Sequence, residues 1–277
     1  MGRVFSGIRR FLASRMDVLI KMNDTFVMAS RVRYGERMVH SIAASRVGGQ
    51  ISAYLDDTYL EQVDTRVIAV GETDGAPWAA VEHGLFHPQG GGQPADRGWL
   101  GDVAIVPVRE RESGLVVATA AEGGDLSGLG VGEPVRARID LQVRMLHAAL
   151  HTAGHLVEAV GRTQGWEMVG SIHFPGQARI EFQAPDADAR LADPDGREAV
   201  TAELRTAVAA AVADELPVTA RYFADGQRVV HLGGLHSAPC GGTHVRGLGD
   251  LADVVLPTLK VKKGRIRVSY TATHRSR

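Results

Sequence analysis

The hydrophobic period of this chain first changes at Asp140, from alternating to helical, and that change limits the folds open to it. From Ile51 to that point the pattern is short and alternating. Thr65–Val70, Val103–Val108, Leu115–Thr119 and Val135–Ile139 are rich in Val and Ile, and the Gly, Asp and Pro clusters at 71–77, 87–98 and 123–132 separate them. Alternation with turns at that spacing predicts a small β-barrel or sandwich. After Asp140, apolar residues at 146, 149, 150, 153, 156, 157 and 160 form one helical stripe, with Asp140 as N-cap and Gly161 and Gly165 marking its end.

The rest of the chain mixes both periods. Met168–His173 and Ala178–Gln183 read as a hairpin about Pro175-Gly176, and an Ala-rich helix is expected from about Glu198 to Glu215. Strands follow at Val218–Phe223, Val229–Leu232, Leu259–Lys262 and Arg265–Tyr270. The expected class is α+β, with a small β-barrel-like domain over 51–138 followed by an α+β domain over 139–277. A chain of 277 residues is long enough for both to bury a core.

Residues 1–50 carry nine Lys or Arg against three acids, within a chain whose net charge is −1. They show no sustained period and are read as a basic extension outside the folded core, expected to be poorly ordered. An Arg-rich start without acids up to Arg15 also fits an organelle-targeting peptide. The balanced total excludes a whole-protein basic field for nucleic acid, but not a local patch. No apolar run approaches the ~18 residues of a membrane span, and one cysteine excludes an internal disulfide. A soluble, cytoplasmic protein with no membrane association is expected.

That cysteine carries chemistry. His151-Thr-Ala-Gly-His155 places two imidazoles at i and i+4 of the expected helix, where one ion can reach both. Cys240-Gly-Gly-Thr-His244 offers a thiolate and a third imidazole from a glycine-rich loop. One cysteine and three histidines suit a tetrahedral Zn2+. His147 lies one turn before His151, only ~40° round the helix, so spacing alone also allows a His147/His151 pair. Glu158, one turn after His155, is read as solvent-facing, with orientation of a ligand as the other role open to it. Thr152 stands where a zinc protease of the His-Glu-x-x-His type needs its glutamate, which disfavours peptide hydrolysis.

These residues carry a resemblance. His151-Thr-Ala-Gly-His-Leu-Val157 and Pro239-Cys-Gly-Gly-Thr-His-Val245 resemble the editing domain of alanyl-tRNA synthetases. Phe86-His-Pro-Gln-Gly-Gly-Gly-Gln-Pro-Ala-Asp-Arg-Gly98 is similar to the glycine-rich signature of the β domain that precedes that core. Asp56-Asp-Thr-Tyr-Leu-Glu-Gln-Val63 is similar to the opening strand. The likeness covers about residues 51–270 in order. Threonyl-tRNA synthetases share only the second half. The chain begins almost directly at the β domain and has no phosphate loop, so it looks like a free-standing editing protein of the AlaX type.

The resemblance implies one Zn2+ held by His151, His155, Cys240 and His244, with His147 packing nearby. It implies a trans-editing hydrolase that deacylates mischarged tRNA(Ala), bearing serine first and glycine second. Gln93, after three glycines that let backbone approach a neighbour, is a candidate catalytic residue. Serine exceeds alanine by one hydroxyl, so the pocket needs a partner for it. Thr152 and Ser171 are the candidates. Lys260, Lys262, Lys263, Arg265 and Arg267 would contact tRNA phosphates. The closing segment Gly264–Tyr270 departs from the family in lacking an acidic residue, and Leu248 replaces the threonine expected in the loop after His244. Other readings are a non-catalytic, zinc-stabilised tRNA- or RNA-binding module and a deacylase for another small aminoacyl-tRNA. No protein partner is implied.

Overall fold

A computed structural model describes residues 46–184 and 188–275. The expected extension falls outside this range up to residue 45. The chain enters through β1 (Arg46–Val47) and β2 (Gln50–Ser52), then one helical turn, α1 (Ala53–Asp56). Gln50 corrects the expected boundary at residue 51. Its buried amide donates to the carbonyls of Val81 and Val116 and accepts from Val116 N, so the fold already includes it.

Next come β3 (Gln62–Thr73), β4 (Ala76–Val81), β5 (His83–Gly84), β6 (Gly98–Leu100), β7 (Val103–Arg109), β8 (Val116–Ala120) and β9 (Pro134–Ile139). Six of these close a barrel in the order β3-β4-β8-β7-β6-β9. Alternate residues fill it: Val63 and Val67 on β3, Ile105 on β7, Ala137 and Ile139 on β9. The turn cluster expected at 71–77 shrinks to Asp74 and Gly75, both at positive φ, which suits a tight hairpin. Gly71 belongs to β3 because Trp78 lies across it, where a Cβ would meet the indole at 2.3 Å.

The helix α2 (Leu141–Thr163) starts where the sequence indicates, with the Asp140 carboxylate accepting from Val143 N at 3.1 Å. It does not end at Gly161. That glycine sits inside the helix, where a Cβ would strike the Phe182 ring at 2.3 Å, and the chain turns at Gly165. Then follow β10 (Glu167–Ile172), β11 (Arg179–Gln183), α3 (Pro194–Ala213), β12 (Val218–Tyr222), β13 (Arg228–Leu232) and β14 (His236–Pro239). The chain closes with β15 (Leu251–Val255), β16 (Lys260–Lys262), β17 (Arg265–Ser269) and β18 (Thr271–His274). α3 begins four residues before the expected Glu198, because Asp193 caps it and Pro194 suits its first turn.

α2 packs on the sheet β10-β11-β17-β16, on α3 and on β18, and nearly every residue from Arg144 to Gly161 is buried. It is joined to the barrel side by a buried charge pair. The guanidinium of Arg144 grips both carboxylate oxygens of Asp96 (Nε to Oδ1, 2.8 Å) and donates to the carbonyls of Thr58 and Leu85. Such a pair, with its remaining donors satisfied, sets position more than it adds stability. It holds the glycine-rich segment 87–98 against the helix that bears the histidines. Among the described residues no helix is long and apolar enough to cross a membrane.

Candidate metal centre

His151 and His155 project from α2, and Cys240 and His244 from the loop after β14. Their ligand atoms all lie within 4.8 Å of one another. The Cys240 Sγ is 3.5 Å from His151 Nε2 and 3.3 Å from His244 Nε2. Gly242 makes this approach feasible, because a Cβ there would lie 2.2 Å from the His151 ring. His147 is buried but outside the group, which separates the two helical pairs that spacing left open.

The surrounding hydrogen bonds fix which ring nitrogen each histidine presents. The Gln93 Oε1 accepts from Thr243 N at 3.0 Å, so it is the carbonyl end of the amide. His151 Nδ1, 2.7 Å from the same oxygen, must therefore carry the proton. The Thr152 hydroxyl donates to the carbonyl of Ala148 at 2.8 Å, so His244 Nδ1, 3.1 Å away, must donate to it. His155 Nδ1 faces Glu158 Oε2 at 3.6 Å, and its Nε2 is buried with no hydrogen-bond partner among the described residues. His151 and His244 thus turn Nε2 toward the thiol, and His155 brings a ring nitrogen within 4.8 Å of the same group. A carbonyl, a hydroxyl and a carboxylate behind the rings are the arrangement that orients histidine on a metal. The donor set fits a cation of borderline softness.

The electrostatics agree. Burial, reinforced by neighbouring imidazoles, holds His151 and His244 well below the usual histidine range, leaving them neutral. Burial opposes protonation of His155, but Cys240 and Glu158 carry it up to about 9. Burial pushes the Cys240 thiol up, but His155, with the Gly242 N–H and Arg228, more than offsets this and lowers it. A cation would replace the proton between them, and its affinity would rise with pH.

Several sequence expectations change here. Glu158 is not solvent-facing. It is buried, bonded to Arg162 at 2.8 and 3.0 Å, and close to His236 Nε2 at 3.4 Å. These neighbours outweigh its burial and hold its carboxyl far below the usual range. Thr152 is fully buried, and its hydroxyl is committed: it donates to Ala148 and accepts from His244 and Val245 N. No bond is left for a substrate hydroxyl. Ser171 lies on β10, half-buried, with no side-chain hydrogen bond among the described residues. Gln93 is completely buried and reaches across to His151 and Thr243. Of the three glycines before it only Gly92 is crowded, where a Cβ would lie 3.0 Å from the Ser171 carbonyl; Gly90 and Gly91 have open space.

His173 and Tyr270 belong to no motif along the chain, yet both lie at the site. The His173 ring stacks on His151 at 4.3 Å, and its Nδ1 lies 2.6 Å from the Tyr270 hydroxyl. Gly154, between the two helix histidines, is required by this pair: a Cβ there would sit 2.4 Å from His173 and 2.5 Å from Tyr270. His236, 3.4 Å from Glu158, likewise stands outside any motif. The signal for all three lies in contacts across elements, which spacing along the chain does not reveal.

The basic residues near the C-terminus fall on the β16–β17 hairpin, and all five are exposed. Lys260 faces Arg267 and Lys262 faces Arg265 across the strands. Arg267 pairs with Glu181 at 2.9 Å, while the other four have no ion pair among the described residues.

No family model matches the chain. Among curated proteins it resembles an alanyl-tRNA editing protein of Mus musculus, Aarsd1, with 30% identity over 223 residues, 70% of this chain and 49% of that protein. The alanine–tRNA ligase of Halorubrum lacusprofundi is 30% identical over 244 residues, which are 79% of this chain and 25% of the ligase. The alanyl-tRNA editing protein AlaX-M of Saccharolobus solfataricus is 26% identical over 235 residues, 79% of this chain and 97% of that relative. The chain thus spans about half the length of the mouse relative and a quarter of the ligase, and nearly all of AlaX-M.

Proposed function

We propose that this chain, like the alanyl-tRNA editing proteins it resembles, hydrolyses the aminoacyl ester of mischarged tRNA(Ala) with a bound zinc ion. Serine is the first expected substrate and glycine the second. The observation that carries this reading is the convergence of three histidine nitrogens and the Cys240 thiol within 4.8 Å, with a polar group behind each ring.

In hydrolysis, water adds to the ester carbonyl carbon, the bond to the ribose oxygen breaks, and that oxygen takes a proton. The amino acid leaves as its carboxylic acid. Zinc bound by His151, His155, Cys240 and His244 would supply Lewis acidity or hold the substrate. The protein's part is positioning. Gln93 keeps His151 in one tautomer, Thr152 does so for His244, and Glu158 orients His155. Thr152 therefore serves the metal centre, and Ser171 is the remaining candidate partner for a seryl hydroxyl. Lys260, Lys262, Lys263 and Arg265, which have no ion pair among the described residues, offer charge for tRNA phosphates.

The test is deacylation of Ser-tRNA(Ala), Gly-tRNA(Ala) and Ala-tRNA(Ala), with metal content measured on the same sample and Cys240→Ala as control. Serine or glycine release that requires about one zinc per chain, with the alanyl ester spared, is expected. Bound zinc and bound tRNA without turnover would make the protein a non-catalytic module.

A further inference from the structure

His173 has three of its ring edges fixed and one free. One face stacks on His151 with an interplanar angle of 20°. Its Nδ1 meets Tyr270, its Cε1 and Nδ1 lie against Gly154, and its Cδ2 lies against Gly92, where a Cβ would be 3.1 Å away. Its backbone N–H donates to the Gly92 carbonyl at 2.8 Å. The remaining ring atom, Nε2, has no hydrogen-bond partner among the described residues.

Hydrogen-bond accounting sets the proton. The Tyr270 side chain is buried, and His173 is the polar group its hydroxyl meets. If His173 donated to the phenol, the phenol hydrogen would be left buried without an acceptor, at a cost of about 1–3 kcal/mol. The hydroxyl therefore donates to Nδ1, and the proton of the neutral ring sits on Nε2. A preset N–H with no acceptor among the described residues, on a ring stacked against His151, is left to donate to a bound molecule.

We propose that His173 is a substrate contact whose Nε2–H donates to the carbonyl oxygen of the scissile aminoacyl ester. That oxygen gains negative charge as water adds to the carbonyl carbon, and a rigid neutral donor stabilises it without reorganising. The neutral imidazole also keeps its proton throughout, so it acts as a donor and not as an acid. Tyr270 is then a positioning residue acting through His173. Gly154 makes room for the pair at the one helix position where a side chain would displace it. This assignment rests on the proposed ester hydrolysis.

The experiment compares wild-type protein with His173→Leu, His173→Gln and Tyr270→Phe under single-turnover conditions on the ester the wild type cleaves, with zinc content measured for each. His173→Leu is expected to lower the chemical rate ~100-fold, the scale for loss of one such donor, at unchanged zinc content and little change in half-saturating tRNA. His173→Gln, which keeps a donor near the Nε2 position, should recover part of the rate. Nitrogen NMR of the wild-type protein should find His173 protonated at Nε2, and Tyr270→Phe should shift that tautomer and slow the reaction. An unchanged rate in His173→Leu, or a wild-type proton on Nδ1, overturns the assignment while leaving the hydrolase standing. Should His173→Leu not fold, the Tyr270→Phe rate and the tautomer decide. A wild-type protein that cleaves no aminoacyl ester overturns both readings.

Discussion

The Gln93 Oε1 lies 2.7 Å from His151 Nδ1 and accepts, with the same oxygen, the backbone N–H of Thr243. One amide thereby ties the glycine-rich loop, the histidine helix and the cysteine loop at a single atom. Gln93→Leu removes that acceptor from a fully buried site. Retention of the proposed zinc ion against a chelator is expected to weaken 10- to 100-fold, the usual effect of losing a group behind a metal-bound histidine. Gln93→Glu keeps an acceptor for both donors and should weaken it less. Equal retention by Gln93→Leu and wild type would mean that His151 is oriented without Gln93.

Glu158 makes a parallel prediction with a different partner. Replacing it by leucine takes away the carboxylate facing His155 and strands Arg162 and His236. Metal retention should again fall by about one to two orders of magnitude, whereas Glu158→Gln should fall less. A leucine variant that keeps its metal as tightly as wild type would assign Glu158 to the Arg162 pair alone.

Gly154 tests the packing behind the site. An alanine methyl would overlap both His173 and Tyr270, neither of which can withdraw without losing the other. Gly154→Ala should destabilise by about 1–3 kcal/mol, the scale of overpacking a dense core. Chemical denaturation of the metal-loaded protein gives the number, and Gly90→Ala, with open space around it, is the matched control.

Acid should act through His87. Burial lowers this ring from its ordinary 6.5 to about 4, with Asp96 partly opposing. The unfolded chain therefore binds the proton more readily, so stability is present above pH ~6.5 and is lost as the pH falls toward 4. The loss attributable to His87 is roughly 3 kcal/mol. Unfolding free energies of wild type and His87→Gln should diverge over this window, the variant having the shallower slope. Parallel curves between pH 6.5 and 4 would remove His87 as the cause.

For the β16–β17 hairpin, the readout is ionic strength. Each phosphate contact contributes about 0.7–0.9 to the slope of log affinity against log salt. Removing Lys262, Lys263 and Arg265 together should reduce the slope of tRNA binding by about 2. An unchanged slope would place the tRNA elsewhere.

The α2 helix could be read from the sequence because its causes are local. An N-cap at Asp140 and a continuous apolar stripe act over one turn, and the ligand spacing His151–His155 follows from the same geometry. The cysteine loop was legible because glycines beside the chain's one cysteine and a histidine constrain its backbone strongly. Strand limits were less so. Gly71 and Pro77 look like turn residues along the chain, yet both lie in paired strands because Trp78 fills the space above Gly71.

The amino-acid order by itself determined the barrel-then-helix division and the four candidate ligands, since hydrophobic period and i, i+4 spacing are short-range properties. Only the tertiary structure decided what each polar side chain does there. Glu158 and Thr152 differ from solvent-facing or substrate-facing residues in large part through neighbours remote in the chain, such as His236 and His244. His173 acquires its fixed ring from Tyr270, 97 residues away. A hydrogen bond depends on distance and direction in space, and the chain holds that information only once its long-range contacts have formed.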